Sequence, residues 1–410
     1  MCLTLAAFVL IPAVAYSMPN DFLSAKALSS YEPIGVGKKL IDCFPGRDRI
    51  FARYVYRDVL KNFDWNAEGE SYILNDDDVQ IIQNYKEIYI ENCRLTDLSG
   101  IQNFSGLYKL NLENLPRLKF LPELPSSLHI LNVSGCAVTL LPDEFPDSLV
   151  YLAINECAVT SLPDKLPCGL TELNVNSNYL ISLPENLPSG LKTLSVTGNC
   201  LTSLPENLPD NLTSLHAFSN KLTFLPENLP ASLTFLDVRD NNLTSLPDNL
   251  PCGLTSLYAS ENYLTALPDH LPDSLKILDL QNNQLISLPD HLPDGLTQLC
   301  LRNNKLTSLP DHLPAGLAYF LDVSDNNLTS LNLSNLPNLQ GIHIFNNKLE
   351  SVSLKNLPSL AVLDLSNQNL KSLELSDLPN LNNIYLTNNL LPCLLDALPA
   401  GPTYFVTGNN

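Results

Sequence analysis

The chain has 410 residues, of which 45% are apolar and 16% charged, and its formal net charge is −20 at pH 7. This charge argues against nucleic acid as a partner, because binding to a phosphate backbone requires clustered Lys and Arg. The apolar content is ample for a large core, and the internal period described below indicates one elongated domain.

Residues 1–17 are a candidate export segment. Cys2 to Tyr16 are almost wholly apolar, and residues 13–15 or 15–17 would provide a small-residue cleavage site. No Lys or Arg precedes the apolar run, which is too short to span a bilayer comfortably. The segment fits a cleaved signal peptide or, as the alternative, a misassigned start or a different secretion signal. We expect no stable membrane span after processing.

The next residues predict a linker and then a helical cap. Residues 18–48 contain Ser, Pro and Gly without a clear period, which favours a linker. From residue 49 to Phe63 the apolar residues fall close to helical spacing, and a second short helix is predicted from Asp76 to Asn84. Residues 49–84 are therefore predicted to cover the first repeat of a solenoid, which would otherwise expose its leucines.

From Tyr85 to Asn410 the chain is an array of repeats, clearest between Gly169 and Pro314. Each unit reads LxxLxLxxNxL followed by TSLPxxLP, and seven opening leucines are 21 residues apart: Leu170, Leu191, Leu212, Leu233, Leu254, Leu275 and Leu296. Alternating apolar residues predict a short strand, and the prolines favour extended or polyproline-like backbone. We predict an α/β solenoid, a leucine-rich-repeat horseshoe with a parallel β-sheet on the concave face, polyproline-like segments on the convex side and the N-terminal helical cap.

The period extends over residues 85–410 as 15 full repeats and a fragment from Pro402, with one extra residue near Phe320. One turn position per repeat mostly holds an amide, which can donate to and accept from buried backbone groups. The predicted ladder is Cys136, Cys157, Asn178, Asn199, Asn220, Asn241, Asn262, Asn283, Asn304, Asn326, Asn347, Gln368 and Asn389. Because a thiol is a small, weak donor, we predict that Cys136 and Cys157, together with Cys93 of the first repeat, are ladder members rather than disulfide partners.

Binding in a solenoid is expected at surface positions that the repeat does not fix. The concave strand positions vary between repeats, and parallel strands lie about 4.8 Å apart, so these positions form a patch roughly 20–25 Å long. The residues predicted to bind a partner are His216, Phe218, Phe235, Asp237, Arg239, Tyr258, Asp279 and Arg302. Aromatic residues with Arg are typical of binding hot spots, and drift at unconstrained positions is the alternative explanation.

The unit LPENLPSGLKTLSVTGNCLTSLP, residues 183–205, resembles the LPX repeats of leucine-rich-repeat effectors that Gram-negative bacteria deliver into host cells. The resemblance is close from Leu121 to Pro314 and looser from Tyr85 to Asn410. It implies either repeats alone, as a scaffold for host proteins, or repeats followed by a ubiquitin-ligase domain with a Cys-x-Asp motif. None of the ten cysteines has Asp two residues later, so ligase activity does not carry over.

These observations predict a secreted, non-enzymatic scaffold, an effector that binds a host protein through its concave face and is delivered into the host cytoplasm. One alternative is the substrate-recognition region of a ubiquitin-ligase effector without its catalytic domain; another is an exported surface or adhesive protein. Apart from residues that the repeat pattern accounts for, the sequence shows no catalytic arrangement and no cofactor or metal site. Apolar residues of the last repeat predict self-association through the C-terminal end: Leu386, Leu390, Leu391, Leu394, Leu395 and Leu398.

Overall fold

The computed structural model describes residues 33–45, 49–61 and 72–389, together with the backbone of residues 403–405. The predicted export segment, residues 1–17, lies outside this part of the chain. So do five of the six leucines on which the prediction of self-association depends, those at positions 390–398. Across the described ranges, no helix is long and apolar enough to cross a membrane.

The concave face is a parallel sheet of 16 strands that follow one another in chain order, which confirms the predicted solenoid. Strands are numbered along the chain, and β13, β15 and β17 belong to the second sheet described below. The concave strands are β1 (Glu87–Glu91), β2 (Lys109–Glu113), β3 (Ile130–Ser134), β4 (Tyr151–Asn155), β5 (Glu172–Asn174), β6 (Thr193–Ser195), β7 (Ser214–His216), β8 (Phe235–Asp237), β9 (Ser256–Tyr258), β10 (Ile277–Asp279), β11 (Gln298–Cys300), β12 (Tyr319–Asp322), β14 (Leu339–His343), β16 (Val362–Asp364), β18 (Asn383–Tyr385) and β19 (Thr403–Phe405).

The period of 21 residues places the same leucine of each repeat beside its counterpart in the next. Leu215 of β7 pairs in register with Leu236 of β8, which pairs with Leu257 of β9, and all three are fully buried. The residues on either side of each leucine point to the other face, because side chains alternate along a strand. Stacking thus buries one leucine row in the core and leaves the neighbouring positions on the concave surface.

The predicted ladder positions in the repeats from Asn178 onward are buried and share one hydrogen-bonding pattern. Asn241 is representative: its Nδ2 donates to the carbonyls of Ala217, Val238 and Arg239 at 3.0, 3.1 and 3.0 Å, and its Oδ1 accepts from the amide of Leu222 at 2.9 Å. One side chain therefore satisfies backbone groups of two successive repeats. Cys136 and Cys157 are also buried, and the thiol of Cys157 donates to the carbonyl of Asn155 at 3.2 Å.

The residue before the ladder position has left-handed backbone in most repeats, with φ 50° at Asp240 and 54° at Asn282. Asn, Asp and Gly tolerate this conformation best, and Gly198 occupies it with φ 67°. In the C-terminal half the exposed side chains at this position bond to one another; Nδ2 of Asn303 donates to Oδ1 of Asn282 at 2.8 Å. A second row of hydrogen bonds therefore runs along the edge of the sheet.

The convex side carries a second sheet that the sequence analysis did not predict. Its three parallel strands are β13 (Ser330–Ser334), β15 (Ser351–Lys355) and β17 (Ser372–Ser376), paired in that order. Between residues 170 and 316 the corresponding segments form neither helix nor strand. There, each segment has Pro at the position of Asn332, Ser353 or Glu374, and Pro cannot donate a ladder hydrogen bond. The polyproline-like description is thus limited to the proline-containing repeats.

The predicted N-terminal cap consists of short helices. The first predicted helix is found as α2 (Ile50–Tyr54) followed by a π-helical turn (Val55–Val59), and the second as α3 (Asp76–Asn84). Helix α3 begins with a capping box, in which the Asn75 side chain accepts from the amide of Asp78 at 2.9 Å while Asp78 accepts from the amide of Asn75 at 3.0 Å.

The described part of the predicted linker belongs to this cap, so the boundary at residue 48 is wrong. Helix α1 (Leu40–Cys43) lies within the segment, and Leu40, Cys43 and Phe44 are fully buried. The amide of Leu40 donates to the carbonyl of Tyr72 at 2.9 Å, which ties α1 to the residues before α3. A single four-residue turn is too short to produce a visible helical period, so the sequence pattern did not indicate it.

Candidate protein-binding site

Six of the eight predicted binding residues form one group on the concave face, which we name cluster A: His216, Phe218, Phe235, Asp237, Arg239 and Tyr258. The strand register aligns His216 of β7, Asp237 of β8 and Tyr258 of β9 in one row. Phe235 begins β8, and Phe218 and Arg239 each lie two residues beyond their strands. The 21-residue period thus carries residues that are distant in sequence onto one surface.

Arg239 lies at the centre of cluster A in a fixed orientation. Its Nε and Nη2 donate to the two carboxylate oxygens of Asp237 at 2.9 and 2.6 Å, and this hydrogen bonding raises the pKa of Arg239. The guanidinium carbon lies 5.1 Å from the ring centroid of Phe218 and 5.2 Å from that of Tyr258. A planar guanidinium suits both contacts, since it pairs with a carboxylate in its plane and with rings across its faces.

The ring of Phe235 contacts two other rings of cluster A. The Phe235 ring lies 4.6 Å from that of His216 and 5.5 Å from that of Tyr258, measured between centroids. Burial lowers the pKa of His216 and raises that of Tyr258, which favours the neutral form of both side chains. Cluster A therefore presents neutral aromatic rings around one charge that is already paired.

The other two predicted residues lie beside cluster A and apart from it, respectively: Asp279 of β10 pairs in register with Tyr258, whereas Arg302 follows β11. Asp279 is buried, and its carboxylate accepts from Gln281 Nε2 at 3.0 Å and from Ser260 Oγ at 3.4 Å. Arg302 is exposed, and its contacts lie on the far side, with Asp325 and Phe345. Phe235, Arg239 and Tyr258, which we expected to be exposed, are half-buried because they pack on one another. Asp279 thus borders cluster A, while Arg302 belongs to a second group.

The second group, cluster B, consists of Arg302, Phe320, Asp322, Asp325, His343 and Phe345. The Nε of Arg302 donates to Asp325 at 3.0 Å, and its guanidinium carbon lies 5.2 Å from the Phe345 ring centroid. The ring of Phe320 meets that of His343 edge to face at 5.2 Å. Of these residues, only Arg302 was among the predicted binding residues.

A β-bulge builds the Phe320 side of cluster B. Pairing between β12 and β14 shifts register between Tyr319 and Phe320, where the sequence has its one extra residue. Tyr319 takes a left-handed φ of 62°, which is rare for a bulky side chain, and it is 65% exposed. The Phe320 ring lies against Gly341, where an added Cβ would overlap it. The extra residue was the available signal, but its effect on side-chain direction was not predicted.

The described residues contain no group of three His, Cys, Asp or Glu side chains that could hold a metal ion. What the concave face offers chemically is aromatic area, two ordered guanidinium groups and several carboxylates. These groups suit recognition of another protein.

Comparisons with known proteins agree with this architecture. A family model described as Leucine Rich Repeat matches residues 232–252 and 274–294. YopM, a leucine-rich effector protein from Yersinia pestis, is 36% identical over 71% of this chain and 80% of its own, with a TM-score of 0.58. YopM from Yersinia enterocolitica is 29% identical over 80% of this chain and 88% of its own, with a TM-score of 0.52.

A leucine-rich-repeat protein from Leptospira interrogans is 27% identical, over 82% of this chain and 93% of its own, with a TM-score of 0.63. No curated protein sequence matches the chain. The 36% identity with the Yersinia pestis protein thus extends over most of that protein's length. The chain therefore belongs to the YopM-like family of bacterial leucine-rich-repeat proteins and is a protein-interaction scaffold.

Proposed function

We propose that this protein is a secreted, non-enzymatic effector that binds a host protein through its concave face, with cluster A as the principal contact. The observation that supports this most strongly is the fixed position of Arg239, between two aromatic rings and against the carboxylate of Asp237. Aromatic residues and Arg in a packed patch are the composition of binding hot spots.

Cluster A is preorganised for binding, which favours affinity. The paired guanidinium and the three contacting rings lose little further freedom when a partner binds, and ordering a free side chain costs about 0.5–1.5 kcal/mol. Random drift would not be expected to place a charge pair, two ring–ring contacts and two Arg–ring contacts on adjacent strands. The contacts therefore favour selection for recognition over drift.

Delivery into a host cell is proposed on two grounds. The related Yersinia pestis protein is an effector protein, and the apolar run from Cys2 to Tyr16 suits export from the bacterium. An exported surface or adhesive protein would carry the same apolar segment, so identifying the host partner would distinguish the two roles.

A host-lysate capture experiment tests the proposal. The variant changes Phe235, Arg239 and Tyr258 to Ala and also carries Asp237→Asn, because the buried carboxylate would otherwise lose its counter-charge. We expect host-protein binding to weaken by at least about 2 kcal/mol, roughly 30-fold, with the thermal unfolding midpoint little changed.

Phe224→Ala is the matched control for that capture. Phe224 is 49% exposed and lies between β7 and β8, in the connecting segment rather than on a strand. Its loss should leave capture unchanged. If the cluster A variant retained every host partner of the parent, the concave-face proposal would be wrong.

A further inference from the structure

Clusters A and B contain the same parts in reversed strand order. The outermost strand of each supplies a His and, two residues on, a Phe: His216 and Phe218 in A, His343 and Phe345 in B. The next strand inward supplies a Phe and an Asp: Phe235 and Asp237 in A, Phe320 and Asp322 in B. Between Tyr258 of cluster A, at the end of β9, and Arg302 of cluster B, two residues beyond β11, lies strand β10.

The matching parts also make matching contacts. The inner Phe touches the outer His in both clusters, with centroids 4.6 Å apart in A and 5.2 Å apart in B. An Arg lies over the outer Phe in both, at 5.1 Å for Arg239 and 5.2 Å for Arg302. Each Arg is also paired with an Asp. The two clusters therefore share a Phe–His ring contact and an Arg over a Phe, while the strand that supplies the Arg and the Asp that pairs with it differ.

Cluster B reaches this arrangement through the bulge. Without the extra residue at β12, the strand would present one aromatic side chain at this position instead of the adjacent Tyr319 and Phe320, which are 65% and 40% exposed. The left-handed backbone at Tyr319 costs energy, and such strain is typically retained at functional positions. Gly341 provides the room that the Phe320 ring needs.

The concave surface around the clusters is acidic. The concave strands from β7 to β14, with the three residues after each, carry six carboxylates, two guanidinium groups and no Lys. The carboxylates are Asp237, Asp240, Glu261, Asp279, Asp322 and Asp325. Both guanidinium groups are already paired with two of these, and Asp279 is buried, so three carboxylates, those of Asp240, Glu261 and Asp322, are left to face a partner. Charge complementarity thus favours a basic partner.

We propose that this face is a two-anchor site for one basic polypeptide segment, which places an apolar side chain in each cluster and Lys or Arg beside the carboxylates between them. The proposal rests on the proposed function and specifies its partner. Strands β8 and β12 are four strand spacings apart, about 19 Å. A segment spans that distance with roughly 6 extended residues or roughly 13 helical ones.

The test selects binders from a phage-displayed library of random 20-residue peptides on the full chain. Peptides that also bind a variant with both Phe235→Ala and Phe320→Ala are removed. We expect the enriched peptides to be net basic with two apolar groups, and a synthetic one to bind with a stoichiometry of one in calorimetry. Phe235→Ala and Phe320→Ala should each weaken binding of this peptide at least about tenfold, while Phe224→Ala should have no effect on its binding.

Two further variants separate the contributions without removing an aromatic side chain. Gly341→Ala should weaken peptide binding as Phe320→Ala does, because the added methyl group displaces the Phe320 ring. The double variant Asp240→Asn with Glu261→Asn should weaken peptide binding at least about threefold at low salt, since both residues are exposed and their charges attract a basic peptide. Asn suits their left-handed backbone, so the fold should be retained. Thermal unfolding of each variant checks that it is.

A stoichiometry of two, sensitivity to only one cluster, enrichment of acidic peptides or no cluster-dependent enrichment would each overturn the two-anchor proposal. The lysate experiment distinguishes this failure from failure of the proposed function. Host-protein capture that depends on cluster A but is unaffected by Phe320→Ala would leave concave-face binding intact and exclude the second anchor.

Discussion

Replacing Asn241 by Leu is expected to lower the free energy of unfolding by at least about 3 kcal/mol. The Asn241 side chain serves three carbonyls, of Ala217, Val238 and Arg239, and the amide of Leu222. Leucine can neither donate nor accept, and each buried backbone group left without a partner costs about 1–3 kcal/mol. The loss should appear as a lower denaturant midpoint.

The neighbouring residue provides a matched control for the ladder. Asn242→Leu makes the same chemical change one position later, where the side chain is half-buried and the backbone amide bonds to the carbonyl of Leu222. That backbone bond is unaffected by the side chain, so the change should cost under about 0.5 kcal/mol. Equal losses at the two positions would contradict the assigned role of Asn241.

The repeat period was sufficient to predict the concave sheet and the ladder. Leu215 and Leu236 pair in register because 21 residues separate them. Any fixed period places equivalent residues of successive repeats beside one another. The role of Asn241 could be predicted because a turn beside a sheet leaves backbone groups that only a donor and acceptor can satisfy. Both conclusions depend on repetition and not on the details of any one repeat.

Features that occur once were beyond such reasoning. Asp325 and Phe345 lie 23 and 43 residues from Arg302, and the period aligns their strands without fixing which side chains touch. The extra residue near Phe320 showed that the register changes, but the direction of the Phe320 ring depends on where the bulge forms and on the space at Gly341. Irregular positions therefore carry the information that the period cannot supply.

The cap shows the same limit at the other end of the chain. Helix α3 was predicted from Asp76 to Asn84, and its nine residues are enough to show a helical pattern in the sequence. Helix α1 has four residues, and its burial depends on tertiary contacts: the Phe44 ring lies 5.5 Å from that of Phe51 and 5.9 Å from that of Phe104. Such contacts leave no local pattern in the sequence.

Phe104→Ala is expected to destabilise the cap by about 3–5 kcal/mol, the range for truncating a buried Phe in a core. The Phe104 side chain is fully buried, and its ring contacts those of Phe44, Phe51 and Tyr85, so the change removes the centre of the interface between cap and repeats. Hydrogen exchange should show the loss first in α3 and β1. Repeats farther along a solenoid contact only their neighbours, so β8 to β11 should keep most of their protection.

Phe224→Ala is again the matched control, because it removes an equal side chain from a position that is 49% exposed. Its cost should stay below about 1 kcal/mol, with no change of exchange in the cap. Uniform loss of protection along the whole chain after Phe104→Ala would mean that cap and solenoid unfold as one cooperative unit. Unchanged exchange in α3 would mean that the aromatic contacts of Phe104 do not hold the cap, and that the hydrogen bonds of Asn103 to Ile34 and Cys43 suffice.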